Sequence, residues 1–125
     1  MLLFSQPTTA GPRWSLLEVD SLRIYLSLTE NQYTVIAANV ERIKEILNKD
    51  KAIIENLKTR IAKGDEPGLF EKIKVKRGRD DRIDAVEQLI GIIENQLNER
   101  QKIFFQNVEK PVLKSLEKKE IFGGG

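Results

Sequence analysis

VDSLRIYLSLTENQYTVIAANVERIKEILNKDKAIIENLKTRI, residues 19–61, carries one apolar ladder on a seven-residue repeat. One seam position reads Val19, Leu26, Tyr33, Val40, Leu47, Ile54, Ile61, and the other reads Leu22, Thr29, Ile36, Ile43, Asp50, Leu57. Only Thr29 and Asp50 interrupt it. A spacing averaging about 3.5 residues puts these side chains on one stripe of an α-helix, which needs a second helix to cover it.

A partner segment lies downstream. Ile83, Val86, Ile90, Ile93, Leu97, Arg100, Phe104 and Asn107 form a second seam, ahead of Pro111. Gly64-Asp65-Glu66-Pro67-Gly68 ends the first helix, with Gly64 suited to a left-handed cap and Pro67 blocking resumption. Gly78 reads as a breaker, and Asp80 or Asp81 as the cap of the second long helix. The expected fold is all-α: a long antiparallel helical hairpin, about 30–63 and 80–110, with short flanking helices in an oligomeric bundle. A connection centred near residue 72 pairs Ile61 with Ile83, Ile54 with Ile90, Leu47 with Leu97 and Val40 with Phe104. In that register the numbers of facing residues total about 144.

The ends are less regular. Residues 1–13, with Pro7, Gly11 and Pro12, read as an extended arm, 14–122 as one helical-hairpin domain with a basic loop at 64–80, and 123–125 as a flexible tail. Ser15 with Glu18 spells a capping box, as does Thr29 with Gln32, and Trp14 is placed to staple onto Val19. Two starts so close together mean either one continuous helix or a short helix, a break at 28–29 and a long helix. The strict alternation of 21–28 also suits a strand, so 16–37 alternatively contains a β-hairpin. Pro111 either ends the second helix or opens a terminal one running to about Glu120.

Composition excludes much chemistry. The chain has no cysteine and no histidine, so disulfides, thiolate metal sites, Cys nucleophiles and Ser-His-Asp triads are unavailable to it. No cofactor is expected. Ser115-Leu116-Glu117-Lys118 matches S-x-x-K without its companion motifs, and reads as coincidence. Asp80, Asp81 and Asp84 lack a cation-binding loop spacing. No apolar run approaches the ~20 residues of a membrane span, and the opening residues lack a signal-peptide pattern, so a cytoplasmic protein is expected. Net charge is +2, too small by itself to imply a polyanion.

Three groups remain as candidate sites. Lys72, Lys74, Lys76, Arg77 and Arg79, with no acid among residues 72–79, form the one local charge concentration, a candidate polyanion contact. Ile46, Ile53, Leu89, Ile92, Ile103 and Phe105 lie beside the seams, where two helices leave them uncovered; they are the candidate oligomer interface. Asp50 and Arg100 are polar within the seams, as candidate register-setting residues that pair across a dimer. These features point to a non-catalytic structural or adaptor protein that assembles as a homo-oligomer, a dimer being favoured, or within a larger complex. The alternative is a nucleic-acid-binding accessory protein using the basic stretch 72–79.

Overall fold

The computed structural model describes residues 14–117. The arm expected over 1–13 and the tail at 123–125 lie outside them. Six elements follow in order: β1 (Trp14–Ser15), α1 (Val19–Tyr25), α2 (Glu30–Ala62), α3 (Leu69–Asn95), α4 (Glu99–Phe105) and β2 (Val108–Glu109). The long helices α2 and α3 form the expected antiparallel hairpin. At about 1.5 Å per residue they extend roughly 50 and 40 Å.

α2 begins where its capping box places it. The Thr29 hydroxyl accepts from the Gln32 amide at 3.1 Å, and the Gln32 side chain accepts from the Thr29 amide at 3.0 Å. The seam read from the sequence faces inward: Ile36, Val40, Ile43, Asp50 and Leu57 are its buried residues. Gly64, at φ 82°, takes the left-handed position after the last turn.

The connection is shorter than expected. α3 starts at Leu69, immediately after Pro67 and Gly68, so the expected basic loop at 64–80 is a turn at 63–68 followed by helix. A single interior glycine costs only about 1 kcal/mol against a long run of good helix formers, so Gly78 does not end the helix. Asp80 and Asp81 lie within the helix and cap nothing. The register moves with the turn. Asp50 faces Arg79 and Arg82, and Arg60 faces Glu71, totals of 129, 132 and 131 rather than about 144.

Short elements close the open end of the hairpin, its base. The chain breaks at 26–29, with Ser27 at φ 54°, confirming the two-helix reading and removing the β-hairpin alternative. Ser15 does not cap a helix. Its backbone pairs with Glu109 in the two-residue parallel bridge, its hydroxyl accepts from the Leu17 amide, and Glu18 starts α1. Trp14 stacks on Tyr25, at 4.7 Å between ring centres, instead of stapling Val19.

The second helix does not run on to residue 110. Asn98 and Gln101 form a second capping box, and α4 leaves the axis of α3 so that Phe105 enters the core. No terminal helix follows Pro111 among the described residues; 110–117 run without regular structure.

The core therefore sits in the base half. Leu16, Leu22, Leu26, Ile36, Val40, Ile43, Val86, Leu89, Ile93, Leu97, Phe105 and Val108 form one buried cluster drawn from the four helices, β2 and the connections, with Trp14 of β1 packed against it. Its polar seal joins the two capping boxes. The Gln32 and Gln101 side-chain amides donate to each other's oxygens at 2.8 and 3.0 Å, while Gln101 also donates to the Leu26 carbonyl at 3.1 Å. Gln101→Ala orphans these buried groups and is expected to cost about 1–3 kcal/mol in urea denaturation. Gly64→Ala, which forces a side chain into the left-handed region, is expected to cost about 1–2 kcal/mol in the same measurement.

Candidate interaction surfaces

A charged layer divides the hairpin. Asp50 is 4% exposed, and its carboxylate accepts from Arg79 Nη1 at 3.0 Å and Arg82 Nε at 2.8 Å. A buried carboxylate is tolerable only with such partners, because leaving water costs several kcal/mol. α3 supplies both arginines from one face, three residues apart. Gly78 completes the arrangement: a Cβ there would stand 3.1 Å from Arg82 Nη1, so glycine leaves the guanidinium its place beside the α3 backbone. Arg82 Nη2 remains buried without a hydrogen bond, so satisfaction of the layer is incomplete.

The layer also holds the last described segment. Arg79 Nε donates to the Lys114 carbonyl at 3.0 Å. The Ser115 hydroxyl donates to Asp80 at 2.7 Å and accepts from Lys76 at 3.0 Å, and Leu116 is buried beside them. Residues 110–117 thus return along the hairpin as a strap. Lys110 anchors its start, donating to the Phe105 and Val108 carbonyls at 2.8 and 3.0 Å. Burial pushes the Lys110 ammonium below its usual value, while the charge of Glu94 acts in the opposite direction. The Ser115 hydroxyl, with help from Lys76, holds the Asp80 carboxyl below the ordinary carboxylate range.

The five basic residues read as one site have different roles here. Lys72 is buried and pairs with Glu66 at 2.5 Å; Lys76 pairs with Asp80 and Ser115; Arg79 belongs to the charged layer. Lys74 and Arg77 remain exposed on the outside of α3. The stretch is helical and largely committed to the protein's own contacts.

The apolar group divides as well. Leu89 and Phe105 are inside the core, so neither belongs to an outer surface, and Ile46 packs against that core. Ile92 and Ile103 are exposed. Ile53 is half-buried and lines a groove of about 430 Å³ with Glu71, Lys74, Val75, Gly78 and Arg82. Asp50 and Arg100 do not meet within the chain. Arg100 is exposed at the base, its guanidinium 5.9 Å from the centre of the Phe104 ring.

Two exposed apolar surfaces lie at the ends, and of their residues only Ile103 belongs to the group read as lying beside the seams. At the base, Ile24 is 80% exposed on α1 and Ile103 is 68% exposed on α4. Their neighbours Tyr25 and Phe104 touch ring to ring, 5.7 Å between centres, which sets the two helices side by side. At the tip, Leu69 and Phe70 are 60% and 85% exposed, beside Ile61. Arg60 there holds both Asp65 and Glu71, and its hydrogen bonds to them keep both carboxyls titrating below the usual carboxylate range.

Among the described residues, no group of three or more acidic, His or Cys side chains is placed to hold a metal ion, and no helix is long and apolar enough to cross a membrane. Comparison with protein-family models, curated proteins and solved structures finds no match to this chain.

Asp50→Ala is expected to cost about 3–5 kcal/mol in urea denaturation, because two partly buried arginines lose their counter-charge. Replacing Asp50, Arg79 and Arg82 together by Leu, Met and Leu should recover most of that loss. A triple variant as unstable as the single one would show that the layer acts otherwise. Asp80, whose folded-state value is depressed, contributes stability above the ordinary carboxylate value that is lost as pH falls through the depressed one. Hydrogen exchange of 110–117 is therefore expected to rise relative to α2 in that acidic range.

Proposed function

We propose that this chain is a non-catalytic structural or adaptor module, which assembles with a second copy of itself through the base of the hairpin. The observation that carries the reading is the two-sided apolar character of the short helices. Leu22 and Phe105 fill the core from their inner sides, yet Ile24 and Ile103 stand exposed on the outer sides of the same helices. A helix that is apolar on both sides is normally covered on both sides. Covering one isoleucine is worth about 1.5–3 kcal/mol, so a two-fold contact that repeats both residues on each protomer has a substantial driving force. Exposed Ile92, also off the α2–α3 seam, adds apolar surface to α3. An adaptor role follows from the elongated, rigid hairpin: the base associates while the tip is held tens of ångströms away.

Ile24→Ser with Ile103→Ser removes the outer apolar side chains and leaves the core intact. Light scattering is expected to give a dimer mass for the parent and a monomer mass for the double variant, with unchanged helical circular dichroism. A parent that stays monomeric at high micromolar concentration, or a variant that keeps the parent's mass, would overturn the self-association reading.

A further inference from the structure

The tip of the hairpin carries a second surface, separate from the base. Phe70, Lys74 and Arg77 lie at i, i+4 and i+7, one stripe on the outside of the first turns of α3. All three are exposed, as are Leu69 next to Phe70 and Lys63 at the end of α2. The three nearby acids offset these cations only in part: Arg60 holds Asp65 and Glu71 and Lys72 holds Glu66, so five cations stand against three carboxylates at the tip.

Farther from the tip the same outer stripe changes sign. Asp81, Asp84 and Glu87 succeed Arg77, all of them exposed. An anionic surface would attract the first turns of α3 and repel the middle, so the hairpin would stand on such a surface rather than lie along it. Exposed leucine and phenylalanine beside cations match a partner offering apolar chains beneath a layer of phosphate. A nucleic acid would use the cations but gain little from Leu69 and Phe70. A phospholipid layer uses both and asks for no matching pocket.

We infer that the tip docks end-on against an anionic phospholipid surface. Leu69 and Phe70 enter the interfacial layer, and Lys63, Lys74 and Arg77 meet headgroup phosphates. The contact is peripheral, made by side chains that the core does not use.

Flotation of the full chain with phosphatidylglycerol–phosphatidylcholine vesicles, against pure phosphatidylcholine vesicles, tests the proposal. Binding is expected only with the anionic vesicles and is expected to weaken as salt rises. Leu69→Ser with Phe70→Ser should reduce it at least tenfold. Lys63→Glu, Lys74→Glu and Arg77→Glu together should abolish it, since each cation near such a surface is worth about fivefold in affinity. Unchanged circular dichroism and thermal midpoint would show that both variants still fold; if either fails to fold, Phe70→Ser and Lys74→Glu alone are used. Absence of vesicle binding would overturn the proposal. So would binding indifferent to Leu69 and Phe70, or charge-dependent binding to single-stranded nucleic acid that exceeds binding to vesicles. None of these outcomes depends on the base, and the Ile24→Ser, Ile103→Ser variant should bind vesicles through its tip, whatever its oligomeric mass.

Discussion

The carboxylate of Asp50 cannot be buried between two helices unless cations meet it, and that requirement selects the register of the hairpin. A heptad seam is nearly degenerate. Sliding one helix by whole heptads keeps apolar residues opposite apolar residues, so hydrophobic burial alone distinguishes the alternatives poorly. In the alternative with its turn centred near residue 72, Asp50 would face the level of Ile93 and Glu94. In the observed arrangement it meets Arg79 and Arg82. Burying a carboxylate against an isoleucine and a second acid costs far more than the small differences in apolar packing. The charged layer therefore acts on specificity more than on total stability, as its unsatisfied Arg82 nitrogen also suggests.

The layer also separates two regions of different character. On the base side an apolar cluster draws on all four helices and β2, while toward the tip the buried residues include Leu57, Pro67 and the Lys72 stem. The base depends on polar groups for closure. Both helical breaks, at 26–29 and 96–98, turn the chain inward, and each exposes backbone groups that need partners. Gln32 and Gln101 each cap their own helix and then pair with one another, so one reciprocal amide contact ties both corners. The strap from 110 to 117 joins the base to the charged layer through Arg79 and Ser115.

With the interior closed in this way, the exposed apolar residues acquire meaning. Ile24 and Ile103 are outside a core that is complete without them, and Leu69 with Phe70 is at the other end of the molecule. Most of each of these side chains is left uncovered by the single chain. These two separated surfaces are the ones that the proposed base association and tip docking would use.

Periodicity was sufficient for the all-α class, for both long helices, for the buried stripe of α2 and for its start at Thr29. These are local properties: 3.6 residues per turn and a capping box a few residues long leave their marks in consecutive positions. The Asn98–Gln101 box was equally readable, as N-E-R-Q after Leu97, but the apolar seam running through it masked the break. Gly78 reads as a breaker for the opposite reason. Its tolerance in a helix is local, but its use, making room for the Arg82 guanidinium, depends on a residue that in turn answers to Asp50 on another helix. Register, the division of Leu89 and Phe105 from Ile92 and Ile103, and the commitment of Lys72, Lys76 and Arg79 to internal contacts were decided only by tertiary structure. A one-dimensional repeat records which side chains share a stripe. Which of them a second helix, a strap or solvent will meet depends on where the chain turns and where a buried charge finds its partner.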